Sequence, residues 1–549
     1  MDAMREMRMQ IFSKQYYDFV DIFAKTEFED SKILGKFYTN ERVAEQMIVD
    51  LLLNYKPEDA SKIKIIDPFC GDGRLIRILL EKLIEIPQFE ECEYEVVLWD
   101  IDEEALDRAK KDIDDLVRRE KISASISCEK TDAFVMYGER AGEFDVCVTN
   151  PPWGILKPQK LFNDRCSETE IEEYKKSIAI YDEYMREEFI LSQPTKKFGK
   201  WGTNLGRTGT EVALRLISDT GICGLVSPAS LFNDQVSLPL RSWLFEEHCI
   251  HTISYFPAEL KLYGSADVSS VTTIIGAGKT DSSIEIKTYS SETEFTQEKL
   301  TKKDMEYIRR NKYILPLENG FEMFSVLQKF EHFPQLAEFC EQNNYYFTRE
   351  LDETKISEKL KPDGDIVFAK GYMVDRYDFN SDGLFLDENK SVPPDSVGMW
   401  KIVWRDVSRN SQKKRVKATL LSKNHIAGNS LGVIACRDER RINEFKKLLA
   451  VLNSYIFEFQ ARSQLVSNHV PAGIIKQQRI PMQLGDDSLS ELVDKALAGE
   501  ECKWQIELYV AQIYGLSKSE LLSIISHFEL EKKDEDELDR LLNKRLETL

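Results

Sequence analysis

The chain has 549 residues, a formal charge of −21 and a hydrophobic fraction of 42%. That length accommodates two or three domains, and so acidic a whole argues against nucleic-acid binding by the surface at large. No apolar run reaches the roughly 20 residues of a membrane span, and Met1–Glu6 begins no secretory signal. The ten cysteines and six histidines form no C-x-x-C or H-x-x-x-H pair. No zinc site or disulfide framework is implied, and a reducing, cytoplasmic setting is expected.

Residues 1–30 read as a helical extension, with Phe12, Tyr16, Phe19, Val20 and Phe23 at helical spacing. In Leu34–Ala44, Thr39 or Asn40 can cap a helix whose apolar stripe is Val43, Met47, Ile48 and Leu51. Ile63–Asp67 then reads as a strand, followed by a loop with Phe69, Gly71 and Gly73 and a helix from Arg74. Glycines at a strand's carboxyl end let backbone approach a ligand. Their spacing is neither the dinucleotide fingerprint nor a P-loop.

A second strand, Glu95–Trp99, ends at Asp100-Ile101-Asp102, where an acid can take a ribose diol. A third, Ile122–Cys128, leads to Asp132 and Ala133. The fourth, Phe144–Thr149, runs into Asn150-Pro151-Pro152-Trp153. The prolines lack the N–H that would continue a ladder, and they restrict the residue before them. Asn150 is thereby held in a fixed pose beside an aromatic face, which suits the planar amino group of a nucleobase. Four strand ends in succession carry Asp67, Asp100, Asp132 and Asn150, with helical stretches such as Glu103–Arg119 between. That is the pattern of a parallel sheet with ligands along its carboxyl edge.

These segments resemble the gamma-type N6-adenine DNA methyltransferases of restriction–modification systems. The family's motif order is followed from about residue 33 to 480. The resemblance implies an α/β, Rossmann-like S-adenosylmethionine-dependent methyltransferase domain, then an α+β target recognition domain and a helical tail. It implies S-adenosyl-L-methionine as cofactor, held by Thr39, Asp67, Phe69, Gly71, Gly73, Asp100, Ile101, Asp132 and Ala133. Asp100 would hold the ribose, Ile101 would flank the adenine ring, and Asp132 would accept from the adenine amino group. Asn150, Pro151, Pro152 and Trp153 would be catalytic. Tyr263 is the first candidate to stack on an extruded base, with Phe256 the second. The chain departs from the family at Asn40, where proline is usual, and at Ala133, often a larger residue.

After Trp153 an insertion runs to about Phe198, with a charged helix from Glu168 to Phe189 that reads as a flap or a surface excursion. Five regions are expected: a helical extension 1–30, a catalytic domain 31–280, a helical connector 281–335, a recognition domain 336–481 and an acidic helical region 482–549. Residues 401–480 carry 16 Lys and Arg against 5 Asp and Glu, a net +11. Lys413, Lys414, Arg415 and Lys417 there are of the type that contacts phosphate, and double-stranded DNA is the expected partner. A cognate restriction endonuclease is the second partner, because about 34 residues before the first motif leave little room for a nuclease domain. No metal is implied. The alternatives are methylation of cytosine N4, methylation of RNA or protein, a combined enzyme that cleaves and methylates, a non-catalytic DNA-binding subunit that keeps the fold, and a methylase or specificity subunit acting with a separate nuclease.

Overall fold

The computed structural model describes residues 3–546 except 25, 27–32, 58–60, 90, 194–201, 264–267, 280–282, 318, 319, 321–323, 410, 411, 466, 467 and 529. The chain divides into two compact units, Met1–Leu317 and Glu318–Leu549. The insertion's expected end near Phe198 and the segment Gly264–Asp267 lie outside the described residues.

The first unit is an α/β fold around one nine-stranded sheet. Its strands are β1 (Lys62–Asp67), β2 (Glu93–Asp100), β3 (Ala124–Lys130), β4 (Phe144–Thr149), β5 (Ile217–Pro228), β6 (Cys249–Phe256), β7 (Ser270–Gly276), β8 (Glu285–Tyr289) and β9 (Phe295–Lys299). They lie in the order β3-β2-β1-β4-β5-β7-β6-β8-β9. The first five run parallel, and β7 enters antiparallel between β5 and β6. The order reverses between β1 and β4. At such a reversal the following loops diverge and leave a crevice beyond the strands' carboxyl ends.

Helices α1 (Ala3–Phe23), α2 (Glu41–Asn54), α3 (Arg74–Leu83), α4 (Glu103–Glu120), α5 (Ala133–Met136), α6 (Glu168–Glu188) and α7 (Leu205–Leu216) surround the sheet. The apolar faces of α2, α3 and α4 bury Met47, Leu51, Ile76, Leu79, Ala109 and Ile113 against Val96, Val146 and Val148. Asn40 caps α2, accepting from the Arg42 N–H at 2.9 Å. Gly73, at φ 73°, begins α3, and a Cβ there would fall 2.7 Å from the Ala109 Cβ on α4. Gly73 therefore serves helix packing.

Helix α6 is not a free flap. It buries Tyr174, Tyr181, Tyr184 and Met185 and packs on α1. The rings of Phe19 and Tyr174 stack there at 4.2 Å and 15°.

The expected helical connector 281–335 is corrected. Its first part holds β8, parallel to β6, and β9, antiparallel to β8. Ile286 and Tyr289 are buried on opposite faces of β8, and no apolar alternation marks the strand, because Lys287 shares the face of Tyr289. Lys287 is itself buried. Its Nζ meets Asp50 Oδ1 of α2 at 2.6 Å, and Ser254 Oγ donates to Asp50 Oδ2 at 3.3 Å. Removing one partner of a buried pair strands the other charge, at a cost of about 3–5 kcal/mol. Asp50→Ala should therefore lower stability in urea denaturation by about that amount, far more than an exposed substitution.

The second unit is α+β. One antiparallel sheet has the order Tyr345–Thr348, Leu431–Cys436, Trp400–Arg405, Ala418–Leu421, and a mixed sheet has the order Leu360–Lys361, Phe385–Leu386, Val367–Ala369, His425–Ala427, its last pair parallel. The acidic end is integral to this unit. Helices Asp487–Leu497 and Lys503–Ile513 pack on Ile442–Leu452, and the carboxylate of Glu507 accepts the Tyr455 N–H at 2.9 Å.

The basic cluster is only partly a surface. Lys414 Nζ donates to the Ser454 carbonyl at 2.8 Å, and Arg415 Nη2 donates to the carbonyls of Ser408 and His469 at 3.1 and 3.2 Å. Both side chains are buried, so neither contacts phosphate as expected. Lys417 pairs with Asp375 at 3.0 Å. Arg409 and Lys413 are exposed. Among the described residues no helix is long and apolar enough to cross a membrane.

Candidate active site

Asp67 at the end of β1 and Asn150 just beyond β4 flank the reversal in strand order. Beyond them lies a cavity of about 900 Å³, part of it open to solvent. Its walls include Thr39, Asp67, Phe69, Gly71, Asp100, Ile101, Asp132 and Ala133, together with Asn150 and Pro152. Of the residues expected to hold a cofactor, Gly73 alone is not on this wall, for the packing reason given above.

The Asn150 side chain is pinned from its nitrogen end. Nδ2 donates to the Phe37 carbonyl at 2.7 Å and to Thr39 Oγ1 at 3.1 Å. A carbonyl can only accept, so the nitrogen must face Phe37 and the oxygen must face away. That oxygen, Oδ1, is buried and has no hydrogen-bond partner. A buried orphan acceptor costs about 1–3 kcal/mol.

The pose depends on three close approaches. Trp153 N–H donates to the Gly35 carbonyl at 2.9 Å. Gly35 sits at φ 71°, and a Cβ there would fall 2.4 Å from the Gly154 nitrogen. On the other side, a Cβ on Gly209 of α7 would fall 2.3 Å from the Pro151 Cβ.

Comparison with known proteins follows this geometry. Residues 76–263 match the family described as Eco57I restriction-modification methylase. A stretch of 126 residues is 29% identical to the type II methyltransferase M.VspI of Vibrio sp. (strain 343), covering 23% of this chain and 27% of that relative. The match thus spans about a quarter of the curated relative's length. Two solved structures share the fold. The type IIL restriction-modification enzyme MmeI, solved with DNA, has a TM-score of 0.52 at 12% identity, over 93% of this chain and 80% of its own. The DrdV–DNA complex has 0.50 at 12%, over 88% and 59%.

On the cavity wall the acids are tied to backbone. Asp100 Oδ2 accepts the Gly71 N–H at 2.7 Å and Oδ1 accepts the Asp102 N–H at 2.9 Å. Burial raises the Asp100 carboxyl, against those N–H groups. Lys36 Nζ meets Asp102 Oδ2 at 3.1 Å on the same wall. Asp132 is capped by hydroxyls from α1 and α6 and by the Phe134 N–H at 3.0 Å.

Trp153 and Tyr263 are brought together, with ring centroids 4.6 Å apart at 58°. The rings touch, so no planar base fits between them in this arrangement. Burial pushes the Tyr263 hydroxyl up to about 12. Phe256, the second stacking candidate, is corrected. It stacks on Tyr289 at 4.3 Å and belongs to a core cluster with Val43.

Several wall residues escaped the sequence reading. Phe37 contributes its carbonyl to Asn150, and its ring lies 5.4 Å from that of Trp153. Arg74 donates to the Thr39 carbonyl at 2.6 Å. Tyr17 reaches the cavity from α1. For α1 a signal existed, since Ser13 and Tyr17 are polar groups beside an apolar stripe.

Asp67 carries a testable shift. Burial pushes its carboxyl from 3.8 up to about 7, against donation from Thr149 and the Phe69 N–H. The folded state then holds a proton that the unfolded chain has released, between pH about 4 and about 7. Stability therefore falls as pH rises through that window. Urea midpoints across the window should show this decline, and Asp67→Asn should flatten it.

Proposed function

We propose that the chain is a site-specific DNA methyltransferase. It would move a methyl group from S-adenosyl-L-methionine to the N6 amino group of a flipped-out adenine, within a restriction–modification system. The observation that carries this is the unpartnered, buried Asn150 Oδ1 beside a cavity walled by acids at three strand ends. An orphan acceptor of that kind is made whole by a ligand's N–H.

The residues present suit the donor. Asp100 has lone pairs left for a ribose, Ile101 offers an apolar face, and Asp132 lies on the same wall. Gly71, at φ 51°, leaves the wall open where a Cβ would fall 3.1 Å from the Tyr38 ring. When bound, S-adenosylmethionine supplies an electrophilic methyl group on sulfur. The chain's own work is on the amino group. Asn150 Oδ1 and the Pro151 carbonyl would accept its two N–H bonds and turn the nitrogen lone pair out of the ring. The same acceptors stabilise positive charge as it builds on nitrogen, without reorganising. Fixed orientation supplies much of the remainder. No strong general base is required.

A base inside a duplex must be extruded first, at a few kcal/mol. Stacking on Trp153, worth about 1–3 kcal/mol, would offset part of that. Tyr263 would swing away from Trp153 to cover the second face. The second unit would carry target recognition, with the exposed Arg409 and Lys413 among its phosphate contacts. Cleavage would fall to a separate endonuclease, and the setting would be the cytoplasm. Cytosine N4 is the second reading, because the same two acceptors serve either exocyclic amine.

The test is transfer of labelled methyl to mixed-sequence duplex DNA, followed by nucleoside analysis. N6-methyladenine is expected, with a loss of about 100-fold or more in Asn150→Ala. Label in N4-methylcytosine would keep the mechanism and change the base. Label confined to RNA or protein would overturn the proposal.

A further inference from the structure

We propose that Ser13 and Tyr181 are positioning residues of the donor site, filling one oxygen of Asp132 so that the carboxylate offers a single acceptor place on the other. The inference rests on the donor reading above and concerns how the donor's base is told from a 6-oxo purine.

A carboxylate has about four acceptor places, two on each oxygen. At Asp132, Oδ2 accepts from both the Ser13 hydroxyl and the Tyr181 hydroxyl. Oδ1 accepts the Phe134 N–H at 3.0 Å. One oxygen is therefore full and the other has one place left. Asp132 lies on the cavity wall, beside Ala133 and Phe134.

The two hydroxyls come from helices outside the sheet. Ser13 lies on α1, and Tyr181 lies on α6, inside the insertion that starts just after Trp153. These helices are locked to each other and to the site. Phe19 and Tyr174 stack, the Tyr17 and Tyr181 rings meet edge-on at 6.3 Å, and the Tyr184 hydroxyl donates to the Phe134 carbonyl at 3.0 Å. Tyr17 also reaches the cavity. A substitution that removes only a hydroxyl leaves this packing in place.

The chemistry follows from the charge on Asp132. Burial raises the Asp132 carboxyl, and the two hydroxyls and the Phe134 N–H hold that rise back in favour of the carboxylate. A carboxylate accepts from an amino N–H and repels an oxo group. A carboxyl that has gained a proton can donate to an oxo group instead. Ser13 and Tyr181 thereby keep the site selective for a 6-amino purine.

The test is calorimetric titration of the full chain with S-adenosylhomocysteine and with its hypoxanthine counterpart, S-inosylhomocysteine. Wild type, Ser13→Ala, Tyr181→Phe and the pair are compared. The wild type should prefer the adenine thioether by about tenfold or more, and the pair should lose about tenfold of that preference, the weight of one charge-assisted hydrogen bond. Each single variant should fall between. An unchanged preference in the pair would overturn the inference while the donor reading stands. Equal weakening of both thioethers would mark a merely structural role and overturn it too. A wild-type chain that binds neither thioether would remove the donor reading and this inference together.

Discussion

The fixed point of the first unit is the Asn150 amide, held by two acceptors from the segment ahead of α2. Phe37 and Thr39 take its nitrogen, and the oxygen is left bare. Everything around it serves that placement. The prolines remove alternative backbone pairings. Gly35 lets the Phe37 segment lie against Trp153, and Gly209 lets α7 lie against Pro151. The sheet reverses its order here, so β1 and β4 present Asp67 and Asn150 side by side. Thr149 then links them, donating to Asp67 Oδ1 at 2.7 Å.

The second unit shows how charge can be spent inside a fold. Its sequence is basic between residues 401 and 480, yet much of that charge is structural. Glu458, buried, accepts from the N–H groups of Arg415 and Val416 at 2.9 and 2.7 Å. Lys414 is driven down to about 7 by burial, with Arg376 as the next cause. Lys401 is fully buried and donates to the His425 carbonyl at 2.6 Å. Counting charges along a chain measures neither their exposure nor their direction.

Much of the first unit was legible because its pattern is local in sequence. Asp67 and Asp100 stand at the ends of apolar runs, and strand, acid and helix follow closely in the chain. Gly71 and Gly73 looked alike for the same reason. Only three-dimensional packing separates them, since one faces the cavity and the other faces Ala109. What could not be read came from distant partners. Phe37 acts through a backbone carbonyl, which carries no residue signature. Lys287 hid a strand, because a charged residue on a buried face looks out of place until its counter-ion is known. Phe256 stood second to Tyr263 as a stacking candidate, and only its contact with Tyr289 shows why it belongs to the core.

The Asp50–Lys287 pair also bears on how the chain comes to be folded. Its members are 237 positions apart in sequence. During synthesis α2 is complete long before β8 emerges, so Asp50 must wait with its charge unmatched. Closing so long a loop is only modestly more costly in entropy than closing a short one, yet such non-local contacts form late. The nascent sheet thus has an open flank at β6 until β8 arrives. A ribosome pausing near residue 280 would hold the chain at that unfinished edge, where an unpaired strand can find the wrong neighbour.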